Sequence, residues 1–245
     1  MKQILMLIIA FLLLPLLATA ATPITEVDLL WEADVYTPPF YLGHSRASPQ
    51  STVRVVALPN FVSAGGKKFK TEELNFAWVK DLKNIGSHSG PGQNILAYIA
   101  EASGSNRISV TVSTRDGSLT DERNLTINVS PPKLVLYEDD PLTGVAYHQA
   151  LGQELNLDQP EISIVAEPFF FDWAAVLEKK IDYDWRLNDK KNISNPAEQK
   201  VATFAVPEGG RGSNLITMLA KNTKNTSQSA RRNLVIKFGQ FEFNF

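Results

Sequence analysis

Two stretches determine the fold: Leu74-Asn75-Phe76-Ala77-Trp78 and, 107 residues later, Ile181-Asp182-Tyr183-Asp184-Trp185. In each, an aliphatic residue, an aromatic residue and a tryptophan occupy every second position. Successive side chains of a β-strand point to opposite faces, so this spacing predicts a half-buried strand with the tryptophan facing the core. The return of one pattern at a fixed distance indicates an internal duplication.

Further matches extend the duplication over most of the chain at nearly the same shift. The matched pairs are Val53–Phe61 with Ile162–Phe170, Gly104–Ile108 with Gly212–Ile216, Arg123–Ile127 with Arg232–Ile236, and Leu29–Glu32 with Val135–Glu138. Pro131-Pro132 lies between the copies, and two prolines stiffen a linker. We therefore predict a leader over residues 1–20, a first sandwich repeat over 21–130, a second over 131–245, and limited bending between the repeats.

Each copy offers six short segments with the alternating apolar pattern of strands. In the first copy they are Asp28–Ala33, Thr52–Leu58, Leu74–Val79, Ile95–Ala100, Arg107–Ser113 and Asn124–Val129. Asp116-Gly117 between the last two predicts a tight hairpin turn. Outside the leader, the only candidate for a helical turn is Val145–Leu151.

Short strands at this density, with a tryptophan on the third, resemble the immunoglobulin-like sandwich. Phe76-x-Trp78 and Tyr183-x-Trp185, followed by the late hairpins Arg107–Val129 and Leu215–Phe238, resemble the bacterial Ig-like and PKD-like modules of exported or surface proteins. The resemblance implies an all-β chain of two tandem immunoglobulin-like β-sandwich domains. It also implies a structural, adhesive or binding role.

The first twenty residues have the layout of a secretory signal peptide. Lys2 precedes an apolar run from Ile4 to Leu17, and Ala18-Thr19-Ala20 provides the small residues of a cleavage site. The run is shorter than the ~20 residues that a membrane-spanning helix needs. We predict cleavage after Ala20, export to the periplasm, cell surface or extracellular space, and no membrane span in the mature chain. An uncleaved N-terminal anchor is the alternative.

The composition narrows the function classes. The formal net charge is −2, and the densest basic stretch is Lys67-Lys68-Phe69-Lys70, so the chain lacks the clustered basic face of a nucleic-acid-binding protein. There is no cysteine. This excludes a disulfide, a cysteine zinc site and a thiol nucleophile, and it leaves stability to burial alone.

Motifs for catalysis are missing from the sequence. The three histidines, His44, His88 and His148, fall in predicted loops, and there is no G-x-S-x-G elbow, phosphate loop or dinucleotide fingerprint. We therefore predict no catalytic residues, no cofactor and no dedicated metal site. Glu138-Asp139-Asp140 is the one acidic cluster to consider for Ca²⁺, with a solvated turn as the alternative.

The C-terminal stretch Gln240–Phe245 alternates polar and aromatic residues, as a half-buried strand does. Phe241, Phe243 and Phe245 are predicted to bind a partner by strand addition. The alternative is that they pack against the second copy.

These patterns favour a non-enzymatic, exported structural or adhesive binding module of the cell envelope. Its expected partner is an envelope protein or a polysaccharide. A periplasmic assembly factor that acts by strand addition is the first alternative. A carbohydrate-active enzyme that uses two carboxylates on a sandwich is the second, because a sandwich fold hosts many functions.

Overall fold

The protein is described here from a computed structural model, in which residues 21–191, 199–206 and 209–239 are placed. It consists of two tandem immunoglobulin-like β-sandwiches, as predicted, and each buries its own hydrophobic core. The leader prediction for residues 1–20 lies outside the described residues. No helix in the described ranges is long and apolar enough to cross a membrane.

The first sandwich packs a three-stranded sheet on a larger one, and all its strand pairs are antiparallel. The smaller sheet has the order β1-β2-β6, and the larger has the order β4-β3-β7-β8 with β5 beside β3. The strands are β1 (Ile24–Ala33), β2 (Thr52–Val62), β3 (Leu74–Lys80), β4 (Lys83–Asn84), β5 (Gly90–Pro91), β6 (Ile95–Ile99), β7 (Gly104–Thr114) and β8 (Thr120–Val129). All six predicted strands are present. Single 3₁₀ turns lie at Thr71–Glu73 and Gly86–His88.

Among the described residues, the second sandwich has counterparts of all strands of the first except β5, and it has two additional strands, β10 and β11. Its elements are β9 (Lys133–Asp140), β10 (Gly144–Ala150), β11 (Glu154–Leu157), β12 (Glu161–Phe169), helix α1 (Trp173–Leu177), β13 (Ile181–Leu187), β14 (Lys190–Lys191), β15 (Val201–Ala205), β16 (Gly212–Asn222) and β17 (Ser229–Phe238). One sheet has the order β10-β9-β12-β15, and the other has the order β11-β17-β16-β13-β14. The pairing of β11 with β17 is parallel.

The two tryptophans of the repeat are structurally equivalent. Trp78 on β3 and Trp185 on β13 are each 1% exposed. The indole nitrogen Nε1 of Trp78 donates to the carbonyl oxygen of Gln93 at 2.8 Å, and that of Trp185 donates to the carbonyl oxygen of Gln199 at 3.0 Å. Burial with a satisfied indole N–H is what a core tryptophan requires, so each sandwich is organised around its tryptophan as the repeat predicted.

The first strand of each copy corrects the predicted alignment by one residue. The sequence paired Leu30 with Leu136, but Leu30 faces Val56 across β1 and β2, and in the second sandwich Tyr137 faces Val165. Because Val56 corresponds to Val165, the counterpart of Leu30 is Tyr137. A slip of one residue exchanges the faces of a strand: Leu30 is 59% exposed, whereas Leu136 is fully buried.

Two local predictions have different outcomes. Asp116-Gly117 forms the expected turn, in which Gly117 has a φ of +71° and Asp116 Oδ1 accepts a hydrogen bond from the amide of Ser118 at 3.2 Å. The helical turn proposed at Val145–Leu151 is wrong, because this segment forms strand β10 on the edge of β9. The helix that does form, α1, has Asp172 as its N-cap, with Oδ1 accepting from the amide of Ala175 at 2.8 Å.

The connection between β1 and β2, residues 34–51, reaches the second sandwich and is called the strap below. The amide of Tyr36 donates to the carbonyl oxygen of Phe171, and the amide of Phe170 donates to the carbonyl oxygen of Tyr36, both at 2.7 Å. Phe170 has a φ of +65°, a conformation that a bulky residue adopts only when its surroundings hold it. The reciprocal pair of hydrogen bonds fixes this residue and joins the two sandwiches.

A buried glutamine makes a second connection with the strap. Gln228 is fully buried, and its side-chain Nε2 donates to Ser48 Oγ at 2.9 Å and to the carbonyl oxygen of Pro49 at 3.1 Å. Its Oε1 accepts from the amide of Asp172 at 2.8 Å and from Asn222 Nδ2 at 3.0 Å. Because all four bonds of this amide are made, it ties the strap to the β16–β17 hairpin at little desolvation cost.

Candidate functional site

A cleft of about 870 Å³ lies where the strap meets the second sandwich. Residues of the strap, of the sheet formed by β9, β10, β12 and β15, and of α1 and β13 line it. It is called the Glu167 cleft below. The lining residues are Tyr36, Asp139, Val145, Tyr147, Val165, Glu167, Pro168, Val176, Lys179, Ile181, Tyr183, Gln199, Lys200 and Val201.

Glu167 on β12 is the buried charge of this cleft, and it is only 2% exposed. Its Oε1 accepts a hydrogen bond from the hydroxyl of Tyr36 at 2.8 Å, and its Oε2 accepts from Lys200 Nζ at 3.2 Å. A buried carboxylate needs such partners to remain charged. Glu167 therefore fixes the positions of a strap hydroxyl and a lysine ammonium at the cleft.

The duplication makes Glu167 conspicuous. Its counterpart on β2 is Leu58, which is 45% exposed. A charge is buried in the second copy at the position where the first copy exposes an apolar side chain. Glutamate is usually exposed and leucine is usually buried, so both positions show the opposite of the usual burial. The inversion indicates that the second copy has acquired a feature here that the sandwich fold does not require.

Two tyrosine hydroxyls beside Glu167 have raised pKa values. Burial is the largest cause for both Tyr36 and Tyr183. The hydrogen bond to Glu167 adds to the effect at Tyr36, and the negative charge of Glu167 adds to it at Tyr183. Both hydroxyls therefore stay neutral and able to donate hydrogen bonds throughout the physiological pH range.

Aromatic rings form one side of the cleft. Tyr147 stacks on Phe40 of the strap, with centroids 4.2 Å apart and planes inclined by 25°, and Tyr137 meets Tyr147 edge-on at 5.3 Å. Trp173, which is not a lining residue, packs near Tyr36 with centroids 5.6 Å apart. Tyr147 lines the cleft and remains 38% exposed, so aromatic surface is available to a ligand.

Formal charges balance among the lining residues that the structure describes. Asp139 and Glu167 contribute two negative charges, and Lys179 and Lys200 contribute two positive ones. Both oxygens of Glu167 are already hydrogen-bonded and almost inaccessible. The described lining of the cleft therefore presents an aromatic face and hydrogen-bonding groups.

Of the residues that the sequence singled out, Asp139 of the acidic cluster lines this cleft. Phe241, Phe243 and Phe245 lie outside the described residues. His44 on the strap and His148 on β10 are exposed, and His88 is partly exposed with its Nδ1 3.1 Å from Ser87 Oγ. None of the three histidines is among the residues that line the cleft.

The acidic cluster Glu138-Asp139-Asp140 contains a turn-capping residue. Asp140 Oδ1 accepts from the amides of Leu142 and Thr143, both at 2.8 Å, and these bonds lower the pKa of its carboxyl. Within the described ranges, no group of three or more histidine, aspartate or glutamate side chains is arranged to hold a metal ion. Asp140 thus acts in the solvated turn that the sequence offered as the alternative to Ca²⁺.

Sequence reasoning missed the Glu167 cleft, although one signal was present. Ile162–Phe170 reads ISIVAEPFF, in which a single charge interrupts an apolar run, and the aligned stretch of the first copy has leucine there. The strap residues Tyr36 and Phe40 carry no such signal, because nothing in their local sequence shows that they reach the other sandwich.

No family model matches this chain, and no curated protein matches it significantly. Similar solved structures include fibronectin(III)-like modules of Clostridium thermocellum CbhA, at 12% identity and a TM-score of 0.31, with coverage of 90% of this chain and 98% of that one. Three N-terminal domains of the bacteriophage RB49 outer capsid protein Hoc match at 12% identity and a TM-score of 0.44 over 88% of this chain and 59% of that one. Immunoglobulin domains 1–4 of Sidekick-1 match at 10% identity and a TM-score of 0.26 over 89% and 70%, respectively.

These similarities concern the fold alone, because all identities are far below 25% and all three TM-scores are below 0.5. The PKD-like assignment is not confirmed. The strand order and the two separate cores make the chain a pair of immunoglobulin-like β-sandwiches joined by a strap, with a cleft where the strap meets the second sandwich.

Proposed function

We propose that this protein is a non-enzymatic binding module and that the Glu167 cleft is its ligand site. The observation that carries the proposal is the exchange of exposed Leu58 in the first copy for buried, doubly hydrogen-bonded Glu167 in the second. Burying a carboxylate costs stability unless it is well compensated. Such a group is more readily explained by a site than by the fold.

The size and lining of the cleft support this role. Ligand sites are typically concave spaces of ~300–1,000 Å³ with apolar and aromatic walls and a few placed polar groups. At about 870 Å³ the Glu167 cleft falls within that range. The carboxylates of the lining are Asp139 and Glu167, and both oxygens of Glu167 already accept hydrogen bonds from Tyr36 and Lys200, which supports a binding role.

The test is capture of ligand by the full chain and by Tyr147→Ala. The protein is used to capture components of a cell-envelope fraction and, separately, to probe a glycan array. We expect Tyr147→Ala to lose binding in one of the two assays and Leu30→Ala, an exposed position on the first sandwich, to retain it. Equal binding by both variants would show that the cleft is not the site.

Export to the envelope is part of the proposal and rests on residues 1–20. Mass spectrometry of the secreted or periplasmic protein is expected to find an N-terminus at Ala21. A membrane-bound form that retains Met1 would contradict cleavage and favour an anchored protein.

Strand addition by the C-terminal stretch is a separate proposal, supported by the alternation of Phe241, Phe243 and Phe245. Deletion of residues 240–245 is expected to leave thermal stability unchanged and to reduce capture of an envelope protein. A large loss of thermal stability would instead show that these phenylalanines pack against the second sandwich.

A further inference from the structure

The Glu167 cleft offers two kinds of contact side by side. Tyr147 lines the cleft and is 38% exposed, and its ring stacks on Phe40. The polar groups in the same lining include the hydroxyls of Tyr36 and Tyr183, the ammonium of Lys200 and the amide of Gln199. A ligand that fits this arrangement has an apolar face and a rim of hydroxyl groups.

The charges of the described lining residues balance, which disfavours ligands whose affinity comes from net charge. The two lysines of the lining are matched by two carboxylates, and one ion pair, Lys200 with Glu167, is already formed at 3.2 Å. A cationic ligand would have to compete with Lys200 for Glu167. An anionic ligand would meet Glu167 and Asp139, and each unpaired charge in such a site is costly.

We infer that the ligand of the Glu167 cleft is a neutral oligosaccharide. This inference rests on the proposed function, because it takes the cleft to be the binding site. The C–H face of a sugar ring packs on Tyr147, and the ring hydroxyls exchange hydrogen bonds with Lys200, Gln199 and the tyrosine hydroxyls. The volume of about 870 Å³ suits an extended oligosaccharide better than a single small polar molecule.

Glu167 acts in this scheme as a positioning residue. It is too buried to serve as the main contact, but it holds the Tyr36 hydroxyl and the Lys200 ammonium in place before the ligand arrives. Groups that are fixed in advance lose less conformational freedom on binding. This gives a physical reason for maintaining a buried carboxylate at a position where the first copy has leucine.

The test is isothermal titration of the full chain with soluble neutral probes: cellohexaose, laminarihexaose, maltohexaose, xylohexaose and chitohexaose. Choline and polygalacturonate serve as the cationic and anionic comparisons. We expect at least one neutral probe to bind, neither charged probe to bind, and Tyr147→Ala to weaken binding about tenfold, since an aromatic contact contributes on that order. Tyr147→Phe should keep most of the affinity, and Leu30→Ala should keep all of it.

The outcomes separate this inference from the proposed function. If no neutral probe binds but capture of an envelope protein still depends on Tyr147, the cleft is a protein-binding site and the saccharide inference is wrong. Binding of choline or polygalacturonate that depends on Tyr147 would overturn it as well. If neither saccharide binding nor protein capture depends on Tyr147, both proposals fail. Thermal unfolding of each variant checks that the fold is kept.

Discussion

The connection between the first and second strands takes different courses in the two sandwiches. In the second sandwich, residues 141–160 stay with their own domain and form β10 beside β9 and β11 beside β17. In the first sandwich, the strap makes its only strand-like bridge, Val35 with Asp172, to the other domain. The same connection of the repeated unit thus stays within its domain in the second sandwich and contacts the other domain in the first.

The outer faces of the two corresponding sheets differ as a result. In the first sandwich, Leu30 and Leu58 remain 59% and 45% exposed. In the second, their counterparts Tyr137 and Glu167 are 6% and 2% exposed, since the strap and β10 lie over that face. The comparison shows that the two corresponding sheets differ mainly in what covers their outer faces.

Loss of the equivalent tryptophans should have the largest effect and tests whether the two cores are alike. Trp78→Ala and Trp185→Ala should each cost about 3–5 kcal/mol through lost contacts and a cavity. Against a typical stability of about 5–15 kcal/mol this is severe. Urea unfolding followed by fluorescence and circular dichroism is the measurement. A cost below about 1 kcal/mol for either variant would contradict the assignment of that tryptophan to a core.

Removal of Gln228 tests whether the strap couples the sandwiches. Gln228→Ala leaves Ser48 Oγ, the backbone amide of Asp172 and the side-chain Nδ2 of Asn222 without their partner. We expect a loss of about 3 kcal/mol, since each buried polar group left unsatisfied costs about 1–3 kcal/mol.

The expected sign of uncoupling for Gln228→Ala is a broader or two-step unfolding transition, measured by calorimetry. Gln149→Ala, at an exposed position on β10, is the matched control and should change nothing. A single sharp transition at unchanged temperature in Gln228→Ala would show that the strap does not depend on this residue.

Alanine substitutions at Glu167 and at its counterpart Leu58 test the comparison of the two outer faces. Glu167→Ala removes the acceptor of the Tyr36 hydroxyl and should cost about 2 kcal/mol, because Lys200 is exposed enough to regain water. Leu58→Ala should stay within about 0.5 kcal/mol, as surface changes usually do. Chemical denaturation measures both. Equal costs would mean that Glu167 is not held as described.

The smallest expected effect is a difference in stability between wild type and Tyr183→Phe at alkaline pH. Folding raises the pKa of Tyr183 above its ordinary value of about 10, so the stability linked to its neutral hydroxyl is complete below that pH and is lost as the pH rises beyond it. Tyr183→Phe, which installs the residue of the first copy, should be near neutral at about pH 7 and more resistant than wild type at about pH 11. Urea midpoints at the two pH values decide this. A parallel loss in both proteins would assign the alkaline effect to other groups.

Much of the fold followed from the sequence because period-two alternation and a repeated tryptophan are local signals. Both tryptophans and the strands of the first copy are where that pattern predicted them. The one-residue error at Leu30 shows the limit of pairing by similarity: leucines occupy both faces of β1, and only the partner strand determines which one is buried.

The cleft was beyond sequence reasoning for a different reason. Tyr36 and Glu167 are separated by 131 residues and meet only through the packing of two domains. The short helix α1 was missed because five residues are too few to show a helical stripe, and its capping residue, Asp172, is an ordinary feature of turns as well. Local patterns carry no information on which loop crosses to a neighbouring domain.

The packing of Phe169 and Phe170 has a consequence for synthesis. Both belong to the second copy by sequence, yet they pack with the core of the first sandwich. Domains generally fold in order as the chain leaves the ribosome. The first sandwich therefore leaves the ribosome before Phe169 and Phe170, and its hydrophobic core is completed only after β12 has been translated. We expect ribosome-stalled chains that end before Phe169 to be cleaved by protease in the first sandwich more readily than chains that extend beyond α1, so the order of translation would also be the order of assembly.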